Sequence, residues 1–115
     1  MPGTLRQIVL AVDDVDAAVR HYCGELGLSL QFQDGNRWAA LKLGDLTLAL
    51  AGPGEQPANE TALGIKVTDL EAAVGALRSA GGKVLDAPRA GEHERRATCR
   101  DRFGTVVALY EPIAG

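Results

Sequence analysis

The sequence has little of what marks disulfide frameworks, metal knuckles or membrane spans. It contains two cysteines and two histidines in 115 residues, and only 4% of the residues are aromatic. Cys23 and Cys99 lie far apart without CxxC spacing, so they indicate neither a zinc knuckle nor a redox pair. Two reduced, buried thiols are a simpler reading than a disulfide. No apolar run approaches the roughly 18 residues of a transmembrane helix.

The chain also lacks an excess of one charge. Its 12 basic and 15 acidic residues give a net charge of −3, which argues against a nucleic-acid footprint and against attraction to anionic membranes. The N-terminus has no signal-like apolar region. We therefore expect a soluble, cytoplasmic protein with no nucleic-acid and no membrane partner.

What the chain does contain is an internal repeat. LRQIVLAVDDVDAAV, residues 5–19, corresponds to LGIKVTDLEAAV, residues 63–74, with Val12 aligned to Val67. Each copy has the pattern of an apolar strand followed by an amphipathic helix, and each is too small to bury its own apolar face. With 46% hydrophobic residues, the sequence predicts a single domain. Its predicted bounds are 1–115, with a first module at 1–52, a linker at 51–60 and a second module at 61–115.

Both modules are predicted to have the order βαβββ. In the first, Asp13 and Asp16 are typical of a helix start, and Gly27 is placed to end the helix in a left-handed conformation. In the second, Thr68 and Glu71 have the spacing of a capping box. The predicted helices are residues 15–26 and 70–80, and the predicted strands are 5–12, 28–33, 37–43, 46–50, 63–67, 83–86, 95–100 and 105–110, with a charged loop at 88–94.

Several of these motifs carry a family resemblance. Each helix opens with a V-x-D-φ-x-x-A-φ pattern, Tyr22 is followed by LGL at residues 26–28, and a turn from Asp101 to Gly104 precedes the last strand. Together they resemble the vicinal oxygen chelate superfamily, which includes glyoxalase I, extradiol dioxygenases, fosfomycin-modifying enzymes and bleomycin-resistance proteins. The resemblance implies an α+β fold in which two tandem βαβββ modules form a curved sheet cup.

In that superfamily, four positions on the first and last strands of the modules hold a divalent metal ion through His, Glu or Gln. By the resemblance, these positions fall here on Gln7, Ala49, Ala62 and Ala108. One neutral oxygen cannot offset the dehydration of a divalent ion where carboxylates and imidazoles are missing. We therefore expect no metal site and no cofactor, and no other residues form a catalytic constellation.

The alternation of side chains along the strands supports this register without the family. If Gln7 faces the cup, then Ile8 and Leu10 face the helix. The same parity turns Cys99 toward the core and leaves mostly small or amphipathic residues on the cup side. The pattern is typical of a sheet face that lines a ligand-binding cavity.

The expected ligand contacts lie on that side. Trp38 and Tyr110 would offer stacking surfaces to a flat ligand, and Gln7, Lys66 and Arg96 would supply hydrogen bonds or countercharge. Structural roles for these residues stay open as alternatives. Trp38 could lie in a core or a dimer interface, and Lys66 could extend its ammonium group to solvent from the end of a strand. The arginines of residues 95–102 could form a solvated surface. The expected binding residues are Gln7, Trp38, Ala49, Ala62, Lys66, Arg96, Thr98, Ala108 and Tyr110.

We interpret the chain as a metal-free small-molecule-binding protein. It is similar to the bleomycin-resistance branch, whose members sequester antibiotics as homodimers, so the implied partners are an aromatic or apolar natural product and a second copy of the chain. Pairing of strand edges between copies would also close the sheets. Two alternatives remain. One is an atypical or metal-independent lyase, isomerase or oxygenase that polarises its substrate with Gln7, Tyr110 and Arg96, and the other is an accessory interaction module with a vestigial cup.

Overall fold

The computed structural model describes residues 3–113, and this range contains eight strands and two α-helices. The first and last two residues of the predicted domain lie outside the described residues. The helices are α1, Val15–Val19, and α2, Leu70–Ser79. The strands are β1, Gly3–Ala11; β2, Ser29–Asp34; β3, Trp38–Leu43; β4, Leu46–Ala51; β5, Ala62–Val67; β6, Lys83–Ala90; β7, Glu94–Arg100; and β8, Val106–Pro112.

The chain forms two compact units of the same topology. The first unit is Arg6–Thr61, and the second contains Ala62 onward together with the start of β1. In the first unit the strand order is β2-β3-β4-β1, with β1 parallel to β4 and the other pairs antiparallel. In the second it is β6-β7-β8-β5, with β5 parallel to β8. The predicted α+β fold of two βαβββ repeats is confirmed.

Each sheet buries one face against its own helix. In the first unit, Val15 of α1 packs on Leu41 and Leu50, with Ile8 and Leu10 at the margin of the cluster. In the second unit, the buried residues are Val67, Leu70, Ala73, Val74, Ala97, Cys99, Val107 and Leu109. The parity predicted for Ile8, Leu10 and Cys99 is therefore confirmed. No helix within residues 3–113 is long and apolar enough to cross a membrane.

The N-cap of the first helix is Asp14, one residue after the predicted Asp13. The Asp14 carboxylate accepts the Ala17 N–H at 3.0 Å, as an N-cap side chain does. The Asp13 carbonyl instead accepts a hydrogen bond from Asn36 Nδ2 (3.3 Å), and Asn36 Oδ1 accepts the Val15 N–H (2.7 Å). Asn36, in the turn between β2 and β3, thus provides hydrogen-bond partners for backbone groups at the start of α1. After Val19 the helix continues as a π-helical turn, Arg20–Glu25, and Gly27 ends it at φ +77° as predicted.

The cap of the second helix also differs from the prediction by one residue. Asp69, rather than Thr68, accepts the Ala72 N–H at 3.0 Å. The Leu70 N–H donates to the Glu111 carboxylate of β8 at 3.1 Å. Glu71 makes no capping box because its carboxylate binds Arg95 of β7. Both caps are the Asp of the V-x-D pattern, and both have the extended backbone that an N-cap requires.

Two edge strands are bulged, which the sequence pattern did not predict. In β2 the register shifts between Leu30, opposite Leu41, and Phe32, opposite Ala40. In β6 the register shifts twice, and the strand runs on to Ala90. The predicted charged loop at 88–94 is therefore wrong, and only residues 91–93 separate β6 from β7. A bulge adds an unpaired residue and so turns the following side chains to the other face.

The segment predicted as a linker is anchored to the first unit. Gln56 donates to the carbonyls of Val12 and Ala51, both at 3.0 Å. A short 3₁₀ turn, Pro57–Asn59, follows it.

Gly52 provides a test of this packing. A Cβ atom on Gly52 would lie 1.9 Å from the Asn36 carbonyl oxygen and 3.2 Å from Val15 Cγ2, whereas one on Gly75 of α2 would meet nothing within 4 Å. We expect Gly52→Ala to lower the free energy of unfolding by about 2 kcal/mol through overpacking. Gly75→Ala should raise it by about 0.5 kcal/mol. Urea unfolding of both variants measures the difference, and equal stabilities would contradict the close approach of β4 to the β2–β3 turn.

Candidate functional site

The face of each sheet away from its helix, here called the helix-free face, holds the predicted binding residues. In the first unit, strand pairing sets Gln7 beside Thr47 and Thr47 beside Lys42. The next row across the strands is Val9, Ala49, Ala40 and Phe32. The last row, here called the Trp38 row, is Ala11, Ala51, Trp38 and Asp34. Gln7, Ala49 and Trp38 therefore share one face but stand in three different rows.

The helix-free face of the second unit repeats this layout. Its first row contains Ala62, Val106 and Arg100, and its second contains Gly64, Ala108, Thr98 and Asp86. The last row, here called the Arg96 row, is Lys66, Tyr110, Arg96 and Arg89. Strand pairing thus brings three of the predicted binding residues, Lys66, Tyr110 and Arg96, side by side.

The two units place their first-strand and last-strand residues in equivalent positions. Ala49 lies beside Val9, two residues beyond Gln7 on β1. Ala108 lies beside Gly64, two residues beyond Ala62 on β5.

Comparison with known proteins identifies the fold family. A model of the glyoxalase/bleomycin resistance protein/dioxygenase superfamily matches residues 4–109. The chain belongs to this superfamily. A relative from Mycolicibacterium smegmatis with no assigned function is 36% identical over 110 residues, which cover 95% of this chain and 94% of that protein.

Solved structures of the superfamily show the same fold. Methylmalonyl-CoA epimerase from Streptomyces coelicolor, in complex with 2-nitronate-propionyl-CoA, aligns with a TM-score of 0.72 and 26% identity over 96% of this chain and 95% of that one. The epimerase from Mycobacterium tuberculosis aligns with a TM-score of 0.70 and 25% identity over 96% of this chain and 88% of that one. A superfamily member from Vibrio splendidus aligns with a TM-score of 0.75 over 96% of this chain and 100% of that one, and at 15% identity it shows the fold alone.

The residues at the superfamily's metal-binding positions do not fit a divalent ion. Ala49 and Ala62 are 0% and 1% exposed, and like Ala108 they present only a methyl group. None of these alanines has a donor atom in its side chain, and Gln7 offers one neutral carbonyl oxygen, which is a weak ligand for a divalent ion. Within residues 3–113, no group of three or more His, Cys, Asp or Glu side chains could hold a metal ion.

Phe32 is a candidate contact that the sequence pattern did not reveal. In a regular strand, Leu28, Leu30 and Phe32 would all face the helix. The β2 bulge leaves Leu30 opposite the core residue Leu41 but turns Phe32 to the helix-free face, opposite Ala40. Its side chain is 50% exposed. Gln33, next along β2, faces α1 and donates to the Asp16 carboxylate at 2.5 Å, which confirms the change of parity.

Cys99 and the two histidines are not candidates for the chemistry of this face. Cys99 is fully buried on the helix side, and its burial raises the pKa of its thiol. His21 pairs with Glu25 on the π-helical turn (2.5 Å). His93 lies in the β6–β7 turn, 3.8 Å from Glu92, and both side chains are 92% exposed.

Arg95 and Arg96 are adjacent on β7 but have opposite roles. Arg95 points to the helix side, where it donates two hydrogen bonds to Glu71 and lies 3.8 Å from Glu111. Glu111 in turn accepts the Leu70 N–H. Arg95 thus ties the first turn of α2 to β7 and β8, while Arg96 is exposed on the helix-free face. The hydrogen bond from Arg95 holds the pKa of Glu71 below its usual value.

This ion pair predicts a pH-dependent effect on stability. Because the pKa of Glu71 is lowered on folding, its charged form stabilises the fold above the pKa of an ordinary glutamate, about 4.3. That contribution is lost as the pH falls below this value and through the lowered pKa of the folded protein. We expect Arg95→Gln to lower the Tm at pH 7, and the difference from the wild type to shrink as the pH falls below about 4. Arg96→Gln is the matched control and should show no such closing difference. A difference in Tm between the wild type and Arg95→Gln that stays constant with pH would contradict the ion pair between Arg95 and Glu71.

Proposed function

We propose that this member of the superfamily binds a small molecule without a metal ion. The observation that carries the proposal is the alanine at three of the four metal-binding positions, Ala49, Ala62 and Ala108. Binding must then come from apolar contact, hydrogen bonds and charge on the helix-free faces. The ligand class that fits is an aromatic or apolar natural product, such as an antibiotic.

The first unit supports an aromatic ligand. Trp38 is half-buried and Phe32 half-exposed on its helix-free face, and the positions between them and β1 carry small side chains, Ala40, Ala49 and Ala51. Ala49 and Ala51 are fully buried. A planar ring would therefore stack on the exposed parts of the Phe32 and Trp38 rings, next to the half-buried Ala40. Gln7 and Thr47, at the other end of the same face, offer hydrogen bonds that would orient such a ligand.

The proposed action is sequestration by a homodimer in the cytoplasm. Each site would lower the free concentration of its ligand by mass action, without turnover. This requires a Kd near or below the working ligand concentration, about 1 μM or tighter.

Trp38 reports on the proposed binding because it is the single tryptophan of the sequence. We expect an aromatic natural product that binds this face to quench or shift the Trp38 emission and to saturate at a fixed stoichiometry. The measurement is a fluorescence titration across a panel of antibiotics, including bleomycin. Phe103→Ala, which removes an exposed aromatic ring from the turn before β8, is the control. The proposal fails if no compound in the panel binds with a Kd of about 1 μM or tighter.

Native mass spectrometry of protein purified without chelator tests the metal-free and dimeric states together. We expect a species at twice 12.1 kDa with no bound metal, and no stoichiometric uptake of Ni²⁺, Mn²⁺ or Zn²⁺ on titration. One tightly bound ion per site would overturn the metal-free proposal. A monomer of ordinary stability would overturn the dimer.

An enzymatic role is the second candidate, and one observation favours it. The chain is 25–26% identical to methylmalonyl-CoA epimerases along most of its length. Those proteins act on an acyl-CoA thioester, so the discriminating measurement is exchange of the α-hydrogen of methylmalonyl-CoA in D₂O with substoichiometric protein. Catalytic exchange would replace sequestration as the function, and its absence would leave binding as the proposal.

A further inference from the structure

The repeat provides an internal comparison for the Arg96 row. Lys66 follows Ala62 by four residues, as Ala11 follows Gln7, and each lies at the same position in the strand pairing. On the three inner strands, the Trp38 row is Ala11, Ala51 and Trp38, and the Arg96 row is Lys66, Tyr110 and Arg96. On the edge strands the rows end with Asp34 in the first unit and Arg89 in the second. The same backbone is thus built without a cation in this row of the first unit, so the fold does not require Lys66 and Arg96.

Lys66 and Arg96 differ from Arg89, the third cation of the Arg96 row, in having no ion-pair partner within residues 3–113. Both of their side chains are exposed. Other arginines of β6 and β7 already have partners within the unit. Arg95 binds Glu71, Arg89 lies 3.1 Å from Asp86, and Arg100 donates to the Gly104 carbonyl at 2.9 Å. Lys66 and Arg96 are therefore available to a ligand.

The surrounding charge favours an anion. Among residues 3–113, the helix-free face of the second unit carries five cations and two carboxylates, although the whole chain has a net charge of −3. The cations are Lys66, Lys83, Arg89, Arg96 and Arg100, and the carboxylates are Asp86 and Glu94. Asp86 is already paired with Arg89. Such a local excess of positive charge raises the concentration of anions at the face.

The groups of the row also define where the anion would sit. Tyr110 lies between Lys66 and Arg96, so its ring offers an apolar surface flanked by two cations. Arg96 also lines a shallow depression of about 230 Å³ together with Glu92 and Glu94, and these carboxylates disfavour an anion on that side. In the neighbouring row Gly64, Ala108 and Thr98 are small, and Asp86 at its edge is paired with Arg89.

We propose that Lys66 and Arg96 form an oxyanion-binding subsite over Tyr110, specific for a small molecule that joins a carboxylate or phosphate to an apolar or aromatic body. The guanidinium group of Arg96 matches the two oxygens of such a group in a bidentate fork, and Lys66 adds a point charge from the other side. This inference rests on the proposed function, since it names the chemical class of the ligand.

Two dyes that differ in one group test the subsite. 8-Anilinonaphthalene-1-sulfonate and N-phenyl-1-naphthylamine have the same ring system, but only the first carries an oxyanion. We expect Arg96→Gln to weaken binding of the sulfonate about tenfold and Lys66→Gln about threefold at low salt, with the neutral dye unchanged. The loss should shrink as ionic strength rises, because exposed charges are screened. Arg96→Lys, which keeps the charge but not the fork, should fall between the wild type and Arg96→Gln.

Arg78→Gln is the matched control, because Arg78 is an exposed cation on α2 of the same unit, away from this face. It removes the same charge and should leave both affinities unchanged. If Arg96→Gln behaves like Arg78→Gln, the subsite is overturned while binding of the neutral dye still supports the proposed function. Equal weakening of both dyes by Arg96→Gln also overturns it, since that result reports lost packing. If neither dye binds the wild type, the subsite falls together with the aromatic-ligand proposal.

The source of the oxyanion is distinguished by competition. Benzoate and phenyl phosphate are titrated against the bound sulfonate dye in the wild type and in Arg96→Gln. Displacement by benzoate that depends on Arg96 identifies a carboxylate ligand, and the same result with phenyl phosphate identifies a phosphorylated one. Displacement by neither compound, or displacement that does not depend on Arg96, would overturn the assignment.

Discussion

Each unit of this protein depends on the parallel pairing of its first strand with its last. The pairs β1–β4 and β5–β8 can form only if the chain returns across the sheet, and the helix after the first strand provides that return. The helix then covers one face, so every strand must place its large aliphatic side chains on that side. The other face is released from packing the helix, and this freedom lets the two units carry different chemistry on one backbone.

The features that follow from the periodicity of the sequence were predicted correctly. The predictions were wrong where a shift of one residue decides the outcome, as at the helix caps and the bulged strands. The repeat, both helices, the left-handed Gly27 and the orientation of Cys99 all follow from patterns that span several residues. The caps were displaced by one residue because neighbouring polar side chains, Asp13 beside Asp14 and Thr68 beside Asp69, have similar capping preferences. The backbone conformation that chooses between them is set by the strand that precedes.

Phe32 and Arg89 show why part of the candidate site could not be predicted from the sequence. Both follow a bulge in an edge strand, and a bulge has no reliable sequence signal when it contains no glycine. Regular alternation along β2 would place Phe32 with the core, and the polar composition of residues 88–94 suggested a loop. The central strands β3 and β7 are paired on both sides and keep regular alternation with β4 and β8, so Trp38 and Arg96 lie on the helix-free face, as alternation suggested.

The fold does not depend on the side chains at the four positions that the resemblance assigns to a metal ion. They lie on the helix-free face, so their side chains do not build the helix-side core on which each unit depends. A buried carboxylate without a partner would be destabilising, because its charge would be desolvated. Alanine avoids that cost where the side chain is covered, as at Ala49 and Ala62. Gln7 is half-buried and polar, and its amide can both donate and accept. Of the four positions it is therefore the one whose side chain offers hydrogen bonds, and it shares its sheet face with Trp38.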